Sequence, residues 1–336
     1  MKKIILPILL CLLIAQAGRA DGPYHFIKEI PIGGDGGWDY LTVDSAAKRL
    51  YVSHATKVVV VDLAGDTVIG EITNTPGVHG IAVEANRGFV SNGRGNNVSV
   101  VDLKTFQTLS QVDTEKNPDA ILFEPSQKEV YAFNGRSHSA TVINPDTGKA
   151  VATIPLDGKP EFACADPAAG RIYNNLEDKN EVAVIDVKTH TVVTNWPIAP
   201  GESASGMAID LKNHRLFLGC DNNLMVMMDS ASGKVLATVP IGAGVDANAF
   251  DPGTGLAFAS CGESGTTTIA WEEGDKLNVV QTLTTAAGAR TMTLDETTHK
   301  IYLAAAGYES ATNQAAGKRP KMVPGTFKVL VYGTDK

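Results

Sequence analysis

Residues 78–114 read VHGIAVEANRGFVSNGRGNNVSVVDLKTFQTLSQVDT. Within them VHGIAVE, RGFVSN, NNVSVVDL and FQTLSQVDT are short runs rich in β-branched and aromatic residues, and Asn, Gly or Asp separates them. Each run reads as a strand bounded by a turn. No stretch after residue 20 sustains a helical period of apolar residues. Four strands in about 40 residues describe one blade of a propeller.

The block recurs along the chain. A polar residue enters a short apolar run, a carboxylate follows five residues later, and an aromatic comes shortly after. The carboxylates are Asp44, Glu84, Glu124, Asp166, Asp210, Asp251 and Asp295, spaced 40 to 44 residues apart. The aromatics are Tyr51, Phe89, Tyr131, Tyr173, Phe217, Phe258 and Tyr302. The expected fold is all-β: a seven-bladed β-propeller with four-stranded blades. The aromatics are expected to pack between blades and the carboxylates to cap turns by accepting backbone N–H groups.

The seventh block ends in FKVLVYG and lacks a fourth strand. FIKEIPIG (26–33) resembles GKVLATVPIG (233–242), the end of an earlier block. The N-terminal strand is therefore expected to pair with the strand containing Lys328–Val331 and close the ring, which removes an open sheet edge. An insertion, AGYESATNQAAGKRPKMVPG (306–325), interrupts the last blade. It carries Lys318, Arg319 and Lys321 and is expected to emerge beside the channel entry, as a lid, a partner contact or a loop held down by charge.

RLYVSH (49–54), NVSVVDL (97–103), TGKAVATIPLDGKP (147–160) and SGKVLATVPIG (232–242) resemble the YVTN-type repeat of YncE-like exported bacterial β-propellers. The resemblance spans nearly all of the chain after residue 20. It implies the propeller fold and export, and no particular activity. Blade six departs from the pattern: TTIAWEEGDKLNVVQTL (267–283) lacks the usual Asp after its third strand.

Residues 1–20 read as a secretory signal peptide. Lys2 and Lys3 precede an apolar run from Ile4 to Ala15, too short to span a bilayer, and small residues follow, with cleavage after Ala17 or Ala20. Residues 21–336 are expected to form one domain, located in the periplasm or outside the cell, monomeric and with no membrane span. The chain holds 29 Lys+Arg against 37 Asp+Glu, a formal charge of −8, and loss of Lys2, Lys3 and Arg19 makes it more acidic. Nucleic acid and anionic membranes need clustered cations and are excluded as main partners. Cys164, Cys220 and Cys261 remain, an odd count with no CxxC or CxxCH, so at least one thiol is free. Cys220 and Cys261 hold equivalent places in adjacent blades, but the fan of blades disfavours a disulfide between them.

The first strand of each blade lines the central channel. Its entry position, five residues before each turn carboxylate, reads Asp39, His79, Asp119, Glu161, Ser205, Asp246 and Arg290 around the ring. Six of these seven are ionisable in a chain with 20% charged residues. Four carboxylates about a narrow axis repel each other unless protonated, hydrated, or bridged by a cation or Arg290. His79, Asp119, Glu161 and Asp246 are candidate ligands for a divalent metal ion, the one candidate cofactor; oxygen donors suit Ca2+ or Mg2+, and His79 extends the choice to Zn2+ or Mn2+. The loops after the second strands are expected to bring His54, Arg94, Arg136 and His138 to the same face, with Arg94 and Arg136 able to grip a carboxylate or phosphate. Trp38 and Tyr40 flank Asp39, either to stack on a ligand ring or to pack in the core.

There is no GxSxG, Walker loop, HExxH or GxGxxG. The leading expectation is an exported binding module with a small polar ligand or metal ion at an acidic channel mouth. A metal-dependent hydrolase or lyase using the same residues, and a platform for a periplasmic or cell-surface protein, stay open beside it.

Overall fold

The computed structural model describes residues 22–309 and 321–335. The signal-peptide expectation and Lys318 and Arg319 lie outside these residues. Seven antiparallel sheets of four strands follow one another in the chain. Blade one runs from Trp38–Asp44 to Thr67–Ile72, and blade two from Val78–Glu84 to Gln107–Asp113. Blades three to six begin at Pro118–Glu124, Pro160–Asp166, Ala204–Asp210 and Val245–Asp251. Blade seven takes Met292–Asp295, Lys300–Ala305 and Lys328–Gly333 from the C-terminal part, and His25–Pro31 from the N-terminal part. The closing strand pairs antiparallel with its neighbour, Lys28 opposite Val331 and Pro31 opposite Lys328. The result is a seven-bladed β-propeller. Among the described residues the only helical turn is Glu177–Lys179, and no helix is long and apolar enough to cross a membrane.

The turn carboxylates work as caps. Asp44 accepts the Ala47 N–H at 2.9 Å, Glu124 those of Ser126 and Gln127, and Asp166 that of Ala169. Four residues after the carboxylate stands a left-handed residue: Lys48, Lys128, Gly170, His214, Gly255 and His299 in six of the blades. A side-chain acceptor followed by a positive φ closes each tight hairpin between first and second strands. Glu84 is the exception; it pairs with Arg87 across a shorter turn, whose left-handed residue is Ala85.

The core lies between blades rather than in a centre. Every repeat aromatic is buried against the blade that follows. Tyr51 packs with Val78, Ile81 and Val90, Phe89 with Val130 and Ile143, and Tyr131 with Ile172 and Leu176. Phe217 stacks on Phe250 at 5.0 Å, and Tyr302 lies with Leu50 and Val52 of blade one. Each sheet buries both faces, so second and third strands read as continuous apolar runs.

The three thiols are free, and Cys220 and Cys261 form no disulfide.

Candidate functional site at the channel mouth

A bulge aims the entry residues. In blade one, Trp38 faces His54 and Leu41 faces Val52, so Asp39 and Tyr40 share one position opposite Ser53. The same two-against-one pairing holds His79 with Gly80, Asp119 with Ala120, Glu161 with Phe162, and Ser205 with Gly206. In blade six Asp246 alone is the extra residue. A bulge bends its strand and re-aims a side chain, and six of them in a ring turn five ionisable residues, with Ser205, to one place. Blade seven has no such bulge; Arg290 sits in the turn before Met292–Asp295.

Neighbouring blades hold these bulges by their carbonyls. Thr291 Oγ1 donates to the Asp39 carbonyl at 2.8 Å, Ser91 Oγ to that of Asp119 at 2.7 Å, and Asn175 Nδ2 to that of Ser205 at 3.0 Å.

The six charged residues meet at one mouth. His79 Nδ1 lies 2.6 Å from Asp39 Oδ2 and 3.4 Å from Asp119 Oδ1. Arg290 Nε donates to Asp246 Oδ2 at 2.7 Å, and its Nη2 reaches the Trp38 carbonyl at 2.8 Å. Lys159 Nζ lies 2.7 Å from Glu161 Oε1 and also bonds Glu177. Burial by itself would depress the His79 imidazolium. The hydrogen bond to Asp39 and the fields of Asp119, Asp39 and Glu161 outweigh it and hold the ring up at about 9. Burial pushes Asp119 and Glu161 above the usual carboxylate range; Asp39 and Asp246 add to it for Asp119, and Asp119 itself for Glu161. Burial and Asp39 raise Asp246 to about 6 against the pull of Arg290.

Beside the ring, mostly apolar residues of blades one to four come together. Tyr40 of blade one meets Phe162 of blade four edge-to-face, with ring centroids 5.2 Å apart. A small cavity of about 50 Å³ lies among Tyr40, Ile81, Ile121, Leu122 and Phe162. Tyr40 is held protonated by burial and by the fields of Asp119, Glu161, Asp39 and Asp246. The charged ring and the aromatic pair beside it together make up the candidate cup at the mouth.

The structure redistributes the sequence candidates. One ligand atom each from Asp39, His79 and Asp119 falls within 4.8 Å of the others, the one such group among the described residues. Glu161 and Asp246, expected with His79 and Asp119 as metal ligands, are engaged by Lys159 and Arg290, and the carboxylate grouped with His79 and Asp119 is that of Asp39. His54 does not reach the cup. It is buried, stacked on Phe327 at 4.1 Å, and burial and Lys57 lower its pKa. Arg94, Arg136 and His138 are exposed on their loops, and no ion pair joins them to the ring among the described residues. Trp38 packs on Phe327 at 5.2 Å, with the Arg290 guanidinium 5.8 Å from the Trp38 ring. The described ends of the insertion meet beside Trp38: Tyr308 bridges to Met322, and Glu309 N donates to the Lys321 carbonyl at 2.9 Å. Lys159 is the member of the mouth that sequence reasoning missed. Its separation of two from Glu161 was the available signal, since positions i and i+2 of an extended chain share a face.

No family model matches the chain, and no curated protein matches it. Solved structures do. The crystal structure of RRP9 WD40 repeats superposes with a TM-score of 0.77 at 10% identity, covering 94% of this chain and 99% of that one. The structure of U3-55K gives 0.76 at 11% identity, covering 92% and 99%. A chain of the Kuenenia stuttgartiensis hydrazine synthase gives 0.52 at 16% identity, covering 78% and 99%. At these identities the likeness is one of fold, and it is the propeller fold that this chain shares with them.

Proposed function

We propose that this chain is an exported propeller of the YncE-like, YVTN-repeat kind that binds a small polar ligand in the cup at its channel mouth. One observation carries the reading: Asp39, His79, Asp119, Glu161, Asp246 and Arg290, spread over some 250 residues of sequence, meet at one end of one channel. Half-buried carboxylates bearing raised pKa values are poised to exchange protons for a ligand's donors or positive charge. Tyr40 and Phe162 supply an apolar surface beside them. Binding is favoured over catalysis because the ring groups pair with one another, and no hydroxyl or thiol nucleophile touches His79 among the described residues. The Cys164 and Cys220 thiols are pushed up to about 12 by burial and are poor nucleophiles.

The test is a thermal-shift screen of EDTA-treated protein against amines, polyols and sugar acids. A ligand that raises Tm should lose most of its shift in Glu161→Gln and in Asp246→Asn. A panel in which nothing shifts Tm, or a shift indifferent to both substitutions, overturns the reading. Export rests on the charged-then-apolar leader and on the family resemblance. Fractionation of a bacterial host should find the chain in the periplasm or medium, and a form lacking residues 1–20 in the cytoplasm; retention of both forms in the cytoplasm refutes it.

A further inference from the structure

We propose that Asp39, His79 and Asp119 form a site for one divalent first-row transition ion such as Mn2+, Fe2+ or Zn2+. The proposal rests on the reading of the mouth as a binding site and names an occupant for one side of it. Metal bonds of about 2.1 Å set ligand atoms roughly 3.0 Å apart at right angles and roughly 3.4 Å apart at the tetrahedral angle. His79 Nδ1 stands 2.6 Å from Asp39 Oδ2 and 3.4 Å from Asp119 Oδ1, and one ligand atom from each residue lies within 4.8 Å of the others. To admit an ion the His79–Asp39 pair must open by a few tenths of an ångström, while Asp119 already stands at ligand spacing from His79 Nδ1.

The donor set selects the class of metal. One imidazole nitrogen and two carboxylate oxygens suit Mn2+, Fe2+ and Zn2+, whereas Ca2+ and Mg2+ favour all-oxygen shells. Two carboxylates also match the charge of a divalent ion. Lys159 on Glu161 and Arg290 on Asp246 neutralise the other two acids and keep them out of the coordination sphere. Three protein ligands leave coordination positions open for water or for a polar ligand in the cup.

The ligands come from three consecutive blades, and their backbones are fixed from outside the cluster. Thr291 of blade seven holds the Asp39 carbonyl and Ser91 of blade two holds that of Asp119. Their spacing is therefore set by the packing of blades and not by the ion, which makes the site preorganised. On entry the metal takes the Nδ1 lone pair of His79, and the proton that Nδ1 shared with Asp39 leaves to solvent. With no metal involved, the same distances describe an imidazolium lying between two carboxylates, and the experiment separates the two.

EDTA-stripped full-length protein is titrated with Mn2+, Co2+, Zn2+, Mg2+ and Ca2+ by calorimetry, and the Co2+ complex is followed by its visible absorption. The expectation is one transition ion per chain, a Co2+ spectrum, and affinity reduced roughly tenfold or more in Asp119→Asn and His79→Gln, at least the loss that an outer-shell partner's removal brings. Both variants are checked for native circular dichroism, and Asp39→Asn serves as a third if either misfolds. His190→Gln, which removes an imidazole paired with Glu129 away from the mouth, should bind as the unaltered chain does. No saturable uptake, uptake indifferent to all three ligand substitutions, or preference for Ca2+ or Mg2+ overturns the proposal. If no ion is taken up while the metal-free protein still gives an amine- or polyol-dependent thermal shift, the ion alone is refuted; loss of both refutes the binding site itself.

Discussion

His79 and the carboxyls around it tie stability to pH in one direction. The folded imidazole titrates at about 9, against about 6.5 in an unfolded chain. A raised folded value means stabilisation that is complete below about pH 6.5 and is lost as pH climbs to about 9. Asp119, Glu161 and Asp246 are raised as well, so they act in the same sense from about pH 4 upward. Tm is therefore expected to fall between pH 6 and pH 9.5, with His79 accounting for up to about 3 kcal/mol. In His79→Gln the decline should be smaller, the part due to the raised carboxyls remaining; an equal decline in both proteins would contradict the assignment. The residues of the ring were legible as types at a repeated offset. Which carboxylate faces which cation was not, because Lys159 lies outside the repeat column and Arg290 reaches across to the Trp38 carbonyl through space.

At the scale of elements, the closing strand carries the ring. Tyr24, just before it, is buried between blades six and seven. Its hydroxyl donates to the His299 carbonyl at 2.7 Å, and its backbone exchanges two hydrogen bonds with the Gln281 amide. Ile30 lies buried in the core shared by blades seven and one. Tyr24→Ala should cost about 3 kcal/mol through a cavity and the lost hydroxyl partner. Removing residues 22–33 should lower Tm far more, because it strips an edge and unlocks the circle. An unchanged melting temperature in the truncated chain would refute ring closure as a source of stability. The match of FIKEIPIG to the end of an earlier block made this pairing readable. The bulges were not, since nothing in a single strand's sequence records that two of its residues will face one.

The whole molecule is seven interfaces arranged in a circle, each built around one aromatic. Repeat proteins with ends unfold from them; here the chain ends share a blade, so no blade is terminal. Phe217 is fully buried and stacked on Phe250 between blades five and six. Phe217→Ala should cost 3 to 5 kcal/mol, approximately the range for a buried aromatic, and the loss should appear as one cooperative transition at lower Tm. A second, separate transition for blades five and six would show that the ring does not act as a unit.

Sequence by itself determined the number of blades, the order of strands, the aromatic column and the strand exchange that closes the circle. These follow from a period and from local turn chemistry, both of which repeat visibly along the chain. It also named the six charged residues of the mouth. Tertiary structure alone decided that Asp39, not Glu161 or Asp246, completes a cluster with His79 and Asp119. It alone buried His54 against Phe327 and left Arg94 and Arg136 exposed on their loops. Contacts of this kind join residues of different blades across the channel, and their partners depend on the twist of sheets and the aim of bulges, quantities that a one-dimensional repeat does not contain.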